Sequence, residues 1–380
     1  MEERKAFGWA ARDTSGILSP FQFNLSVYMY RKMGSEDVVL KVLYCGVDHT
    51  NLHQMRNEFT VPIILWSQGE SYNIFSIYMQ HFLVKEVHAK HEVVGEVVEL
   101  GSEVKKFRVG DIVGVGCIVG SCGECLYCQS NMEQYCPKTI FTINGTNKDG
   151  SPTHGGFSSA MVVHQRFVVR IPGKLAPEQA APLLCAGVTA YSPLKQFMGS
   201  NRVVRGGILG LGGVGHFGVI IAKAMGHHVT VISSSDRKRD EALDILGADA
   251  FIVSSNEAEM EGTASSLDYI LDTVPAFHPL HPYLSLLKVD GKLIVVAAVP
   301  QPLQFDAVDI ILGKRSISGS FIGSMEETQE ILDFWADKDL TTMIEIVKMD
   351  YANKAFERME RNDVRFRFVL DVAGSNLELL

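Results

Sequence analysis

Two groups of residues in this 380-residue chain have the types and spacing to do chemistry: a run of cysteines and a glycine loop. Five of the seven cysteines lie between Cys117 and Cys136, and four follow the pattern Cys122-x-x-Cys125-x-x-Cys128-x7-Cys136. Four thiolates so spaced can close a tetrahedral zinc shell with no open position, which makes a structural site rather than a catalytic one. Zinc there would stabilise a loop that has no core of its own. Free thiols or a cluster of another metal are the alternatives. Cys117 falls outside the spacing and reads as a small buried residue.

The second group is Gly210-Leu211-Gly212-Gly213-Val214-Gly215, which fits G-x-G-x-x-G between a strand pattern and a helix pattern. Gly210 allows the tight turn, Gly212 lets the backbone approach a pyrophosphate, and Gly215 lets the helix pack on the strand. Free N–H groups at the helix start then favour phosphate oxygens. A purely structural glycine turn is the competing reading. The next strand ends in Ser233-Ser234-Ser235, followed by Asp236-Arg237-Lys238. Hydroxyls and cations suit a 2′-phosphate, and so NADP; a carboxylate at the strand end would suit NAD. Asp236 keeps NAD open, although it lies past the expected strand end. The cations could also be no more than a solvated helix start.

Elements must hold these groups. The first part of the chain is β-rich, with partly alternating runs at Val38–Tyr44 and Val93–Leu100 broken by turn pairs such as Gly110-Asp111, which suggests a barrel-like β domain. Near residue 180 helix and strand patterns begin to alternate. Strands are expected around Ile208-Leu209, at His228–Ser233, Phe251–Ser254, Leu267–Leu271 and Lys292–Ala297. Helices are expected at His216–Met225 and Arg237–Leu246. That alternation implies a doubly wound parallel sheet. An amphipathic helix at Glu326–Ala336 and strands near Ile344–Met349 and Phe366–Val372 return the tail to mixed character.

The bulk numbers agree with two domains. The length exceeds one ordinary core. The 46% hydrophobic and 21% charged fractions are those of a globular protein. A net charge of -9 argues against nucleic acid or an anionic membrane as partner. The first residues lack the apolar core of a signal peptide, and no run reaches the ~18 apolar residues of a spanning helix. A cytoplasmic protein is expected. The stretch 61–89 is apolar and weakly charged, with no evident role.

The glycine loop, the four-cysteine lobe, Asp48-His-Thr-Asn-Leu-His53, Lys90-His91-Glu92 and Leu184-Cys185-Ala-Gly-Val-Thr189 together resemble the cinnamyl alcohol dehydrogenase and mannitol-dehydrogenase-like branch of the zinc-containing medium-chain alcohol dehydrogenases. The phrases Met225-Gly-His-His-Val-Thr-Val-Ile-Ser-Ser-Ser, Gly319-Ser-Phe-Ile-Gly-Ser324 and Asp363-Val-Arg-Phe-Arg-Phe-Val add to it. The resemblance implies an α/β two-domain protein. Residues 1–185 and 324–380 would form a GroES-like β-rich catalytic domain. Residues 186–323 would form a Rossmann domain, with the active site in the cleft between the two and a homodimer as the assembly. It implies two zinc ions, one structural and one catalytic, with NADP(H) and a small aldehyde or alcohol as partners. The catalytic zinc polarises the carbonyl oxygen. Hydride passes from the nicotinamide, and a hydroxyl–histidine relay carries the proton. By position, Thr50 is the relay hydroxyl and His53 the relay histidine. His91 and Cys185 are zinc ligands, and Glu92 is a nearby or exchanging one. Thr50, Thr189, Gly210–Gly215, Ser233–Lys238, Thr273, Ser320, Phe321 and Ile322 match cofactor-contacting positions.

Three departures cluster at the chemistry. Asp48 stands where the family has a cysteine ligand; aspartate can ligate zinc, at ~2.0–2.2 Å instead of ~2.3 Å. Asn51 replaces an aspartate that would orient a ligand histidine, a kind of partner whose loss typically costs ~10–100-fold. The Asp48-to-His91 gap is about twice the one the resemblance implies, long enough to displace His91 or to cover the cleft. Three functions therefore stand open. One is a zinc- and NADPH-dependent reductase of allylic or aromatic aldehydes. Another is a zinc-free NADPH reductase of an activated electrophile such as an iminium or enal. The last is an inactive NADP-binding relative.

Overall fold

The computed structural model describes residues 5–11, 13, 15–24, 33–49, 91–200, 202–299, 301–375 and 377. Thr50, Asn51, His53 and the stretch 61–89 lie outside the described residues. The chain divides into two compact units, Met1–Arg170 with Glu345–Val364 and Phe368–Leu380, and Ile171–Ile344 with Arg365–Arg367.

The first unit is built on a seven-stranded sheet. Its path runs Val169–Arg170, Ile112–Val115, Val93–Leu100, Asp37–Val47, Arg367–Asp371, Ile344–Lys348, with Ala160–His164 also pairing Asp37–Val47. The Asp37–Val47 strand is almost entirely buried, which is why its sequence is a near-continuous apolar run instead of a clean alternation. Its neighbours are antiparallel, with Cys45 opposite Val93 and Leu370 opposite Cys45. The cysteine lobe is an outgrowth of this unit. It carries only the short helix Leu126–Gln129 and a 3-10 turn at Glu133–Tyr135.

The second unit is a six-stranded parallel sheet in the order Ala250–Val253, His228–Ser233, Arg205–Leu209, Leu267–Asp272, Leu287–Val295, Ser316–Gly319. All six residues of Leu267–Asp272 are buried, as a central parallel strand covered on both faces requires. One face rests on a cluster that includes Ile232, Ile252, Ile270, Leu284, Leu287 and Leu293. Each such side chain contributes about 1.5–3 kcal/mol by leaving water. Elements outside 186–323 also belong here: Pro177–Ala180, and the helix Met325–Asp337, whose fully buried Trp335 lies 5.5 Å from the ring of Phe217.

Two expected elements differ. The helix expected at Arg237–Leu246 is present as one helical run from Asp236 to Ile245, but its winding varies: a 3-10 turn at Asp236–Lys238, an α-helical step at Arg239-Asp240 and a π-turn at Glu241–Ile245. Arg239 draws the first turn inward, bonding Asp236 Oδ1 and the carbonyl of Phe251. The strand expected at Lys292–Ala297 runs from Leu287 to Val295: Leu287 pairs with Leu267, and after an irregularity that includes Asp290 at a φ of 67° the pairing resumes with Lys292 opposite Tyr269. Among the described residues no helix is long and apolar enough to cross a membrane.

Candidate active site

The cysteine lobe is built as its spacing implies. Helix Leu126–Gln129 starts at Cys125 and buries Cys128, and the following 3-10 turn delivers Cys136. Cys122 Sγ lies 3.8 Å from Cys128 Sγ and 3.5 Å from Cys136 Sγ, and all four sulfurs fall within 4.8 Å of one another. Zinc–sulfur bonds of ~2.3 Å in a tetrahedron place sulfurs about 3.8 Å apart, so the four residues fit one zinc ion. Backbone N–H groups also point at the sulfurs. Glu124 and Cys125 donate to Cys122, and Cys122 and Lys138 donate to Cys136. Those donors bring the Cys122 thiol down to about 6. Burial pushes Cys136 up to about 12, so a metal must displace its proton.

In the same unit, Asp48 follows the strand Asp37–Val47 and His91-Glu92 precede the strand Val93–Leu100. These strands are antiparallel neighbours, and Gly46 N–H donates to the Glu92 carbonyl at 2.9 Å. Pairing therefore brings Asp48 beside His91, and the long gap in sequence does not displace the histidine. His91 Nε2 and Asp48 Oδ2 are 3.1 Å apart, with side chains 4% and 15% exposed. The ligand atoms of Asp48, His91 and Glu92 lie within 4.8 Å. Two zinc ligands at ~2.0–2.2 Å sit about 3.4 Å apart, so the pair fits a shared metal ion; a direct N–H···O bond fits it as well. Cys185 is in the second unit, half-buried between the 3-10 turn Ala181–Leu184 and the helix Ala186–Lys195, where its backbone carbonyl accepts the Thr189 N–H at 2.9 Å.

The glycine loop leaves the strand Arg205–Leu209 at the point where the parallel order reverses, between His228–Ser233 and Leu267–Asp272. Dinucleotides bind at such a switch point. Gly210 has a φ of +89°, open to glycine, and a side-chain carbon at Gly215 would meet the Gly210 carbonyl oxygen at 1.9 Å. The Thr273 hydroxyl lies 2.9 Å from Leu209 O and 3.1 Å from Gly210 O. Lys238 Nζ donates to Leu211 O at 2.6 Å. Ser233 ends the second strand, and Ser234 and Ser235 follow it. Asp236 is turned to Arg239 at 2.7 Å and is engaged there, while Arg237 is exposed. Burial lowers the Lys238 pKa, with Arg365 adding to the effect. Ser320 N–H bonds the Val295 carbonyl, Phe321 is partly exposed, and Ile322 holds a φ of +41° that a β-branched side chain ordinarily avoids.

Two residues near the loop escape a sequence reading. Arg367 is buried, and its Cδ lies 3.2 Å from where a Gly213 side chain would begin; a cation there favours an anion at the loop. His216 is fully buried in the first turn of the helix Gly215–Ala224. Arg367 stands some 150 positions away in sequence, and His216 reads as one polar residue in an apolar helix, so no sequence signal links either to the loop.

Comparisons with known proteins agree in both units. The "Alcohol dehydrogenase GroES-like domain" family matches residues 34–173 and the "Zinc-binding dehydrogenase" family residues 213–337. The chain is 60% identical over 375 residues to cinnamyl alcohol dehydrogenase 1 of Ocimum basilicum, covering 99% of this chain and 98% of that protein. It is 56% identical over 376 residues to cinnamyl alcohol dehydrogenase 5 of Arabidopsis thaliana, with coverage of 99% and 98%. Among solved structures, a cinnamyl alcohol dehydrogenase of Sorghum bicolor superposes with a TM-score of 0.87 at 46% identity, covering 98% of this chain and 99% of that one. The Helicobacter pylori enzyme complexed with NADP(H) gives 0.83 at 32%, covering 98% and 100%.

Proposed function

Since this chain belongs to the cinnamyl alcohol dehydrogenase family of the zinc-binding alcohol dehydrogenases, we propose that it interconverts cinnamyl-type or other allylic and aromatic aldehydes with their alcohols, using NADP(H). The observation that carries the reading is the glycine loop at the switch point, flanked by three serines and two cations in place of a strand-end carboxylate.

The roles follow from the chain's own groups. Cys122, Cys125, Cys128 and Cys136 would hold a structural zinc. Asp48, His91 and Cys185 would hold a catalytic one, with Glu92 as an exchanging ligand. When bound, that zinc supplies Lewis acidity to a carbonyl oxygen and NADPH supplies hydride. Thr50 and His53 pass the proton between the substrate oxygen and solvent. Gly210–Gly215 cradle the pyrophosphate, Ser233–Ser235 with Arg237 and Lys238 take the 2′-phosphate, and Thr189, Thr273 and Ser320–Ile322 line the rest of the cofactor. The zinc-free reading, reduction of an iminium or enal, draws support from one observation: Asp48 can bond His91 directly at 3.1 Å.

A homodimer fits the second unit. Ser316–Gly319 is an edge strand, and Val308, Ile311 and Leu312 stand exposed shortly before it in sequence. Such edges and patches call for a partner. A cytoplasmic site of action agrees with seven cysteines that form no disulfide. The test is oxidation of NADPH, followed at its absorbance, with coniferaldehyde as substrate and NADH as the competing cofactor. Turnover with NADPH well above NADH is expected. Turnover of an iminium substrate with none of any aldehyde would select the zinc-free reading instead.

A further inference from the structure

The carbonyls of the glycine loop are not left to solvent; side chains from different elements hold each in turn. Thr273 takes Leu209 O and Gly210 O, Lys238 takes Leu211 O, and His216 takes Gly212 O twice, with Nδ1 lying 3.1 Å away and its backbone N–H donating at 3.1 Å in the first helical turn. A trans peptide points its C=O and the next N–H in opposite directions. Fixing the Gly212 carbonyl on one side therefore fixes the Gly213 N–H on the other.

His216 is built to do this. A carbonyl can only accept, so Nδ1 must carry the proton. His216 Nε2 lies 2.7 Å from the Thr342 hydroxyl, and in a neutral ring that nitrogen is a bare acceptor which the hydroxyl donates to. Thr342 is itself clamped: its N–H donates to Gln179 Oε1 at 2.9 Å, and its carbonyl accepts from Gln179 Nε2 at 3.2 Å. The imidazole stacks on Phe366, with centroids 4.9 Å apart and planes 13° from parallel. Burial holds its pKa down to about 3, so the ring is neutral at every working pH. One tautomer in one orientation is thus dictated from both ends.

We propose that His216 is a positioning residue for cofactor binding: Thr342 sets its tautomer, and His216 in turn orients the Gly212–Gly213 peptide toward the pyrophosphate. The proposal rests on reading Gly210–Gly215 as the pyrophosphate loop. Because NADPH and NADH share that group, the effect must be equal for the two, unlike any effect through the 2′-phosphate residues.

The experiment uses the full zinc-loaded protein and measures NADPH and NADH dissociation constants by fluorescence titration, with kcat at saturating cofactor and a thermal melt for each variant. Thr342→Val removes the hydroxyl at constant volume, and Thr342→Ser restores it. His216→Phe keeps the stacking without a donor, and His216→Asn keeps an N–H near the Nδ1 position. Thr342→Val and His216→Phe are expected to weaken both cofactors by the same factor, about 5–10-fold, with kcat unchanged. Thr342→Ser and His216→Asn should stay within about 2–3-fold of the unaltered protein. Nitrogen NMR of the labelled ring should show the Nδ1–H tautomer, and loss of that preference in Thr342→Val. Unchanged binding in both Thr342→Val and His216→Phe, or a loss confined to NADPH, overturns the proposal. If the unaltered protein binds neither cofactor, the pyrophosphate reading itself falls and takes the proposal with it, an outcome distinct from the other two.

Discussion

Lys238 does two jobs in this account, and replacing it separates them. Its ammonium donates to the Leu211 carbonyl at 2.6 Å and lies 5.6 Å from the centre of the Phe366 ring. It also follows the serines proposed to take the 2′-phosphate. In Lys238→Ala the first loss is a charge-assisted hydrogen bond to the loop. Such bonds contribute about 1.5–3 kcal/mol to the structure, of which roughly 1 kcal/mol, or ~5-fold, should reach the binding of either cofactor. The second loss is a charge pair with the 2′-phosphate. At 4 Å and an effective dielectric of 20 that pair amounts to ~4 kcal/mol, and salt and partial exposure cut it to about half. NADPH should thus lose roughly 3 kcal/mol, on the order of 100-fold, against ~5-fold for NADH. The assay is the dissociation constant of each reduced nicotinamide by fluorescence titration at fixed ionic strength. Equal losses for NADPH and NADH would refute the second role and leave Lys238 as a loop support only.

Other perturbations have equally definite outcomes. Gly215→Ala would place a carbon 1.9 Å from the Gly210 carbonyl oxygen, backbone against side chain with neither free to move; cofactor binding should be lost, as titration with NADPH would show. Ser324 caps the helix Met325–Asp337 in a capping box with Glu327, so Ser324→Ala should cost about 1 kcal/mol in denaturant unfolding, provided that unit unfolds in a single transition. The cysteine lobe should bind zinc more weakly as pH falls. Cys136 is a thiol at neutral pH and must lose its proton to ligate, and below about 6 Cys122 protonates too. Zinc affinity should then rise by at least about one decade per pH unit near neutrality, read by competition with a chromogenic chelator; a flat profile would contradict the four-thiolate reading.

Much of the fold was legible because periodicity reports burial. The strands Val93–Leu100 and His228–Ser233 fall where their β-branched runs begin and end. The four cysteines were legible because a short lobe leaves them nowhere else to go. The edge strand Ser316–Gly319 was not, since its serines carry no apolar signal and Ile317 alone packs on the core. That Asp48 and His91 meet was implied by the resemblance alone, and nothing in their spacing showed it. Their distance is set by the register of two strands, with Cys45 opposite Val93, and not by the number of residues between them. The tether from His216 to Gly212 was hidden for a related reason: a polar side chain in an apolar helix does not reveal which carbonyl it will face. The helix at Asp236–Ile245 was legible, but not its change of winding from 3-10 at Asp236–Lys238 to π at Glu241–Ile245, which goes with the inward bonds of Arg239 to Asp236 Oδ1 and the Phe251 carbonyl.

The claim on which the enzyme reading turns is that Asp48, in a position where the family carries cysteine, completes a second zinc site. Zinc per chain, measured by elemental analysis of the purified protein after dialysis, tests it most directly. About two zinc ions per chain are predicted, falling to about one in Asp48→Ala while the cysteine lobe stays filled. A value near one in the unaltered protein would contradict the claim and leave the zinc-free reductase or the inactive NADP-binding relative.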